Sequence, residues 1–215
     1  SGIYAYPGTP STEITEFVQN SKVAAENGIH FNWSSNEKTA FESALGMSYA
    51  GKRSMVCMKH VGLNVAADPF MNASLTGING GMIIVVADDP SMHSSQNEQD
   101  SRFFFFFSMI PVLEPSSQQE AYDLTRYGFD LSEKTGFPVM LRLTTRLAHS
   151  RAGILPRKKR EQNELKLPAD LQQFILLPAL ARAKYKVLLN KQAEFLEESK
   201  SSGNNTYFEG KNHTL

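Results

Sequence analysis

The 215-residue chain has a single cysteine, Cys57. That scarcity excludes an internal disulfide framework, a four-cysteine iron–sulfur site and a zinc site built on several thiolates. A reducing, cytoplasmic setting is the expectation that follows. Charge of one sign is also lacking, because 22 Lys and Arg stand against 22 Asp and Glu. Without a net positive field nucleic acid is not an expected partner, and there is no acidic surplus of the kind that marks a disordered tail. No run of about 18 uncharged apolar residues is present to span a bilayer, so no membrane partner is expected. The chain opens Ser1-Gly2-Ile3, with neither an initiator Met nor a basic-then-apolar leader. Ile3 to Tyr6 already reads as a strand, so the sequence is read as a fragment truncated at its N-terminus.

What is present alternates. Ile3 to Tyr6 runs into Pro7-Gly8-Thr9-Pro10-Ser11-Thr12, where two prolines end the strand. Ser11 or Thr12 is placed to cap a helix carrying Ile14, Phe17 and Val18 on one face. Ile29 to Trp33 predicts a second strand, and Ser34 or Ser35 a cap for a helix with Ala40, Phe41, Ala44, Leu45 and Met47 at the helical period. Met55 to Met58 predicts a third strand, followed by a loop from Lys59 to Asn64 and a helix from Val65 to Leu75. Met82 to Ala87 is apolar without alternation, as in a strand covered on both faces. A polar segment from His93 to Asp100, a short Pro111 to Leu113 strand, a helix capped by Ser117 and a strand from Phe137 to Leu143 complete the pattern.

Strands alternating with helices predict an α/β fold, a mostly parallel sheet with helices on both faces. Ligands of such sheets sit outside the carboxyl ends of the strands. The segments Pro7 to Ser11, Lys59 to Asn64 and Asp88 to Asn97 should therefore share one rim with Asn36-Glu37. Residues 1–150 are read as this domain. Residues 151–215 are read as a linker, an exposed helical arm and a flexible tail leading to further domains. Phe103 to Phe107 fits no single face of a helix or strand; a partner-facing apolar loop and an artefact of the sequence both remain open for it.

Four segments occur together and in order: Tyr6-Pro7-Gly8-Thr9-Pro10-Ser11-Thr12-Glu13, Trp33-Ser34-Ser35-Asn36-Glu37-Lys38, Met58-Lys59-His60-Val61-Gly62-Leu63-Asn64, and Ala87-Asp88-Asp89-Pro90 continuing to Asp100. They resemble the large (alpha) subunits of indolepyruvate:ferredoxin oxidoreductases, a branch of the thiamine-diphosphate 2-oxoacid:ferredoxin oxidoreductase family. The similarity runs from residue 3 to about Ser150, more weakly to about residue 200, and lies with the family's N-terminal pyrimidine-binding domain. It implies a part of an oxidoreductase that converts aryl 2-oxoacids to acyl-CoA with ferredoxin as electron acceptor, inactive as this piece alone. Two alternatives stand beside it: a relative acting on another 2-oxoacid, and a non-catalytic assembly or regulatory module that keeps the fold.

The resemblance also implies site residues. Glu37 matches the carboxyl that hydrogen-bonds N1′ of the cofactor's aminopyrimidine, favouring the 4′-imino tautomer that takes the C2 proton; its ordinary reading is a helix-start residue complementing the dipole. His60, Gly62 and Leu63 match a loop lying against the cofactor, with glycine permitting close approach. Thr9 resembles the position that bonds the substrate carboxylate, its ordinary reading being a helix cap. His93, Ser94, Ser95 and Gln96 suggest a second polar wall for substrate, against the ordinary reading of a surface loop. Lys59 reads as solvated, Cys57 as a packing residue, and the spacing of His93, Asp88 and Asp89 supports no metal site. Mg²⁺, iron–sulfur clusters and CoA are expected only in the complete enzyme. Its other parts would be a diphosphate-binding domain and a ferredoxin-like domain of the same subunit, a smaller partner subunit and ferredoxin. This chain has neither the Gly-Asp-Gly motif nor the cysteines of those domains.

Overall fold

The computed structural model describes residues 1–206 and 209–210. Six strands, β1 (Gly2–Ala5), β2 (His30–Trp33), β3 (Ser54–Lys59), β4 (Met82–Asp88), β5 (Val112–Leu113) and β6 (Val139–Thr144), form one sheet in the order β2-β1-β3-β4-β6-β5. Every pairing is parallel, with Ala5 beside Trp33 and Cys57, Lys59 beside Ala87, and Asp88 beside Thr144. The expected α/β architecture is present.

Nine helices connect and flank the strands: α1 (Thr12–Asn20), α2 (Lys22–Glu26), α3 (Glu37–Tyr49), α4 (His60–Val65), α5 (Ala67–Thr76), α6 (Arg102–Ser108), α7 (Gln118–Thr135), α8 (Thr145–Ala148) and α9 (Pro178–Ser201), counted among the described residues. Side chains alternate across a pleated strand, so each strand feeds two layers. Tyr4, Val56, Met58, Ile84, Val86 and Met140 pack beneath Ala40, Phe41 and Ala44 of α3 and Phe70 and Ala73 of α5. Ile3, Ala5, Cys57, Ile83, Val85 and Leu141 face the other way, against Ile14 and Val18 of α1 and Leu124 of α7. Both layers require the unbroken apolar run of β4, all seven residues of which are buried.

Several local expectations change. Phe17 is 75% exposed, because Ile14 and Val18, one turn apart, already fill the seam under α1. Ser11 stands at the N-cap position of α1 but its side chain does not cap the helix: the Ser11 and Thr12 hydroxyls bond the Gly8 carbonyl (2.7 Å) and the Gly8 N–H (2.8 Å), folding the Pro7 turn on itself. Asn36, not Ser34 or Ser35, caps α3, accepting from the Thr39 N–H at 2.9 Å in a reciprocal capping box. The expected Lys59–Asn64 loop is helical from His60. The phenylalanine run is a helix as well: Phe104 and Phe105 pack on the core while Phe103, Phe106 and Phe107 are 60–71% exposed.

After Ser150 the chain lies across the amino ends of the strands. Lys166 bonds the Ala50 carbonyl through its N–H (2.9 Å), Arg53 donates to the Glu161 carbonyl (2.8 Å), and the Asn163 amide donates to Glu133 (2.7 Å). Helix α9 then docks on the body by burying Leu188, by an edge-on contact of Phe195 with Phe137, and by a bond from Tyr127 to Glu198 at 2.7 Å. The carboxyl ends of the strands stay open.

Candidate functional site

At those carboxyl ends each strand turns directly into a polar segment. Glu37 is the first residue of α3, held there by the Asn36 cap, and its half-buried side chain lies across α4. The contact is tight. A Cβ built on Gly62 would stand 2.6 Å from Glu37 Cγ and Oε1 and 2.8 Å from Cδ, so only glycine leaves the carboxylate room there.

His60, the first residue of α4, is 1% exposed. Its Nε2 lies 3.2 Å from the Asn97 carbonyl. Because that oxygen can only accept, Nε2 carries the proton, and in the neutral ring Nδ1 is left as an acceptor. Nδ1 is buried and has no partner among the described residues, which is uncommon in a packed interior. Leu63 belongs to the core cluster, fully buried, so its side chain packs behind the rim and does not line it.

The turn after β1 and the loop after β4 are stitched together above β3. Lys59 is buried, 7% exposed, and donates from Nζ to the Ser94 carbonyl at 2.7 Å. This corrects the solvated reading, since the β3 end lies under both segments. The Ser94 hydroxyl donates to the Thr9 carbonyl at 3.2 Å. Thr9 itself is exposed and does not cap α1, whose N-cap is Ser11. Of the second wall, His93, Ser94 and Gln96 are exposed and Ser95 is half-buried. A cavity of about 600 Å³ opens beside it, lined by Pro90, His93, Thr144, Arg146 and His149 among others. A second cavity, about 420 Å³ between β5, α7 and α9, holds none of the expected site residues.

Two groups central to this arrangement, Asp88 and Asp89, are weighed in the sequence only as metal ligands and given no structural role. Asp89 is completely buried and accepts from the His93 N–H (3.2 Å), the Ser94 N–H (2.8 Å), the Ser95 hydroxyl (2.5 Å) and the Thr145 hydroxyl (2.6 Å). Burial alone would raise its pKa, but those donors outweigh burial and hold it well below the usual carboxylate range. Beside it, Asp88 pairs with the buried Arg142 at 2.7 Å and accepts from the Ser101 N–H at 3.1 Å, while Arg142 also pairs with Glu114. The available signal was two acids ending a fully apolar strand, where a buried charge needs partners.

Cys57 is fully buried, and burial pushes its thiol up to about 12, so it has no nucleophilic role. Among the described residues no cluster of three His, Cys, Asp or Glu is placed to hold a metal ion. No helix among them is long and apolar enough to cross a membrane.

A family model described as "Pyruvate flavodoxin/ferredoxin oxidoreductase, thiamine diP-bdg" matches residues 2–183. The chain is 50% identical over 210 residues to the indolepyruvate oxidoreductase subunit IorA of Pyrococcus abyssi, covering 94% of this chain and 32% of that protein. It is 43% identical over 206 residues to the subunit of the same name from Methanothermobacter thermautotrophicus, with coverages of 95% and 33%. The chain thus spans about a third of the length of these relatives. Among solved structures, it is similar in fold to a 2-oxoglutarate:ferredoxin oxidoreductase from Magnetococcus marinus with 2-oxoglutarate, coenzyme A and succinyl-CoA bound, at a TM-score of 0.70 and 20% identity, covering 92% of this chain and 42% of that one.

Proposed function

Because this chain belongs to the thiamine-diphosphate-binding family of pyruvate flavodoxin/ferredoxin oxidoreductases, we propose that its rim receives the aminopyrimidine end of thiamine diphosphate, with Glu37 as the residue that shares a proton with the ring. The observation that carries this reading is the Glu37 carboxylate laid against the bare Gly62 backbone, a place that any residue with a Cβ would deny it. The residues fit the group in a second respect, since the buried Nδ1 of His60, without a partner among the described residues, can accept from a donor such as a ring amino group. When bound, the cofactor supplies the carbanion chemistry of 2-oxoacid decarboxylation. Glu37 orients the ring and holds a proton at its N1′, Gly62 leaves room for both, and His60 fixes the rim to Asn97.

The whole protein is proposed to oxidise an aryl 2-oxoacid, indolepyruvate, to its acyl-CoA, releasing carbon dioxide and passing two electrons to ferredoxin. Its similarity to the IorA subunits supports this substrate class. Thr9 and the His93–Gln96 wall are proposed to meet the substrate, and the Mg²⁺-diphosphate, the iron–sulfur clusters and CoA to be held by the remaining domains and the smaller subunit. Domain 1–150 would carry the pyrimidine site and residues 151–215 lead toward those domains, in the cytoplasm.

The test is Glu37→Gln in the assembled full-length enzyme. The substitution keeps size and packing but provides no acidic proton, so exchange of the cofactor C2 proton should slow by roughly 10²–10⁴. A helix-start role alone would cost at most about 1 kcal/mol of dipole interaction and leave exchange at the wild-type rate. Turnover of pyruvate equal to that of indolepyruvate would overturn the aryl assignment.

A further inference from the structure

We propose that Asp89 is a positioning residue for 2-oxoacid binding, its buried carboxylate being the fixed point from which the His93–Gln96 wall is hung. The inference rests on the reading of that wall as a substrate contact.

Two consecutive peptide N–H groups, those of His93 and Ser94, converge on the two carboxylate oxygens, and the hydroxyls of Ser95 and Thr145 approach them from opposite sides. Thr145 starts α8 immediately after β6, so the anchor is bolted to the sheet on two strands, β4 through the backbone of Asp89 and β6 through Thr145. The loop needs such a hold. Ser91 and Met92 both take left-handed backbone conformations, with φ of 67° and 54°, which non-glycine residues adopt only when the surroundings impose them. Charge-assisted bonds to backbone N–H groups are among the stronger ones available to do so. From this anchor the loop reaches across the rim, where Ser94 bonds the Thr9 carbonyl and receives Lys59. Asp89 therefore ties the wall, and through Ser94 the Thr9 turn, to the sheet.

A group that positions substrate contacts and leaves the cofactor contact alone separates binding from cofactor activation. In the full-length enzyme with its partner subunit, Asp89→Asn should raise KM for indolepyruvate about tenfold or more. C2 exchange should stay within about twofold of wild type, and hydrogen exchange should quicken over residues 91–97 only. Thr145→Val, which removes one donor from the anchor and keeps the shape of the side chain on the wall of the adjoining cavity, should give the same split at about threefold. If Asp89→Asn does not fold, Thr145→Val carries the test. Unchanged KM with a folded Thr145→Val enzyme, or C2 exchange falling in step with turnover in either variant, overturns the proposal. Failure of the underlying reading looks different: then replacing His93 and Gln96 by Ala leaves KM for indolepyruvate unchanged, although hydrogen exchange over residues 91–97 still quickens in Asp89→Asn.

Discussion

Replacing Gly62 with Ala adds a single methyl group where the Glu37 side chain already lies. That carbon would stand 2.6 Å from Glu37 Cγ and Oε1, whereas ordinary contact begins at 3.4 Å, so the carboxylate must retreat by about 0.8 Å. The backbone offers no resistance, because Gly62 lies within α4 and is not among the residues of positive φ. In a helix interior alanine is favoured over glycine by about 1 kcal/mol. The displaced group is the end of a flexible, half-buried side chain, so its movement costs little, and the melting temperature should stay within a few degrees of wild type. Catalysis is far less tolerant, since a misplacement near 1 Å costs on the order of 10²-fold. The assay is C2 proton–deuterium exchange of thiamine diphosphate followed by NMR in the assembled enzyme, beside a thermal melt. Exchange slowed about 10- to 100-fold with an unchanged melt is the expected outcome. A folded Gly62→Ala enzyme exchanging at the wild-type rate would refute the reasoning, because the carboxylate position seen against Gly62 would then be irrelevant to the cofactor.

Three further outcomes are expected. Asp89 has its pKa depressed in the fold, so it contributes stability that is present above its unfolded value near 3.9 and is lost as pH falls below it; Asp89→Asn should flatten stability against pH between pH 5 and 2 in denaturant titrations, and an unaltered slope would mean the anion is not held as described. Phe103, Phe106 and Phe107 together expose an apolar patch on α6 of the kind that marks association surfaces, so the 215-residue chain should self-associate with concentration in sedimentation experiments, and Phe106→Ser should weaken this without moving the melt. Isolated from the domains that would hold the diphosphate and its metal, the same chain should bind thiamine diphosphate more weakly than micromolar; calorimetry with Mg²⁺ giving micromolar affinity would count against a divided site.

The layers of this fold were legible because each carries its own periodicity. The continuous apolar run of β4 announced a strand covered on both faces, and Ala40, Phe41, Ala44 and Leu45 announced the buried stripe of α3. Caps were less legible. Ser34, Ser35 and Asn36 are all competent, and what selects Asn36 is Thr39 three residues on, whose hydroxyl returns a bond to the Asn36 N–H. The phenylalanine run failed as a pattern because it has no period to read; only the packing of Phe104 against Phe70 decides which rings turn inward.

The candidate site divides along the same line. Glu37 and Gly62 could be matched by motif because each lies at or near a helix start, a position that short sequence patterns define. The groups that hold the rim together could not. Lys59 and Asp89 look like strand-end charges, which in most sheets are solvated, and their burial depends on partners 35 and 56 residues away, the Ser94 carbonyl and the Thr145 hydroxyl. A buried charge without such partners is costly enough that the segment would rearrange to reach water. The loop after β4 supplies three of the donors to Asp89 itself, and the fourth, Thr145, follows β6, the strand paired with β4. The Glu37–Gly62 contact is made between α3 and α4, whereas the loop after β4 is anchored through Asp89 on Thr145, which follows the last strand. The two halves of the rim thus have separate structural requirements, which is the physical reason a substitution at Asp89 can alter one and spare the other.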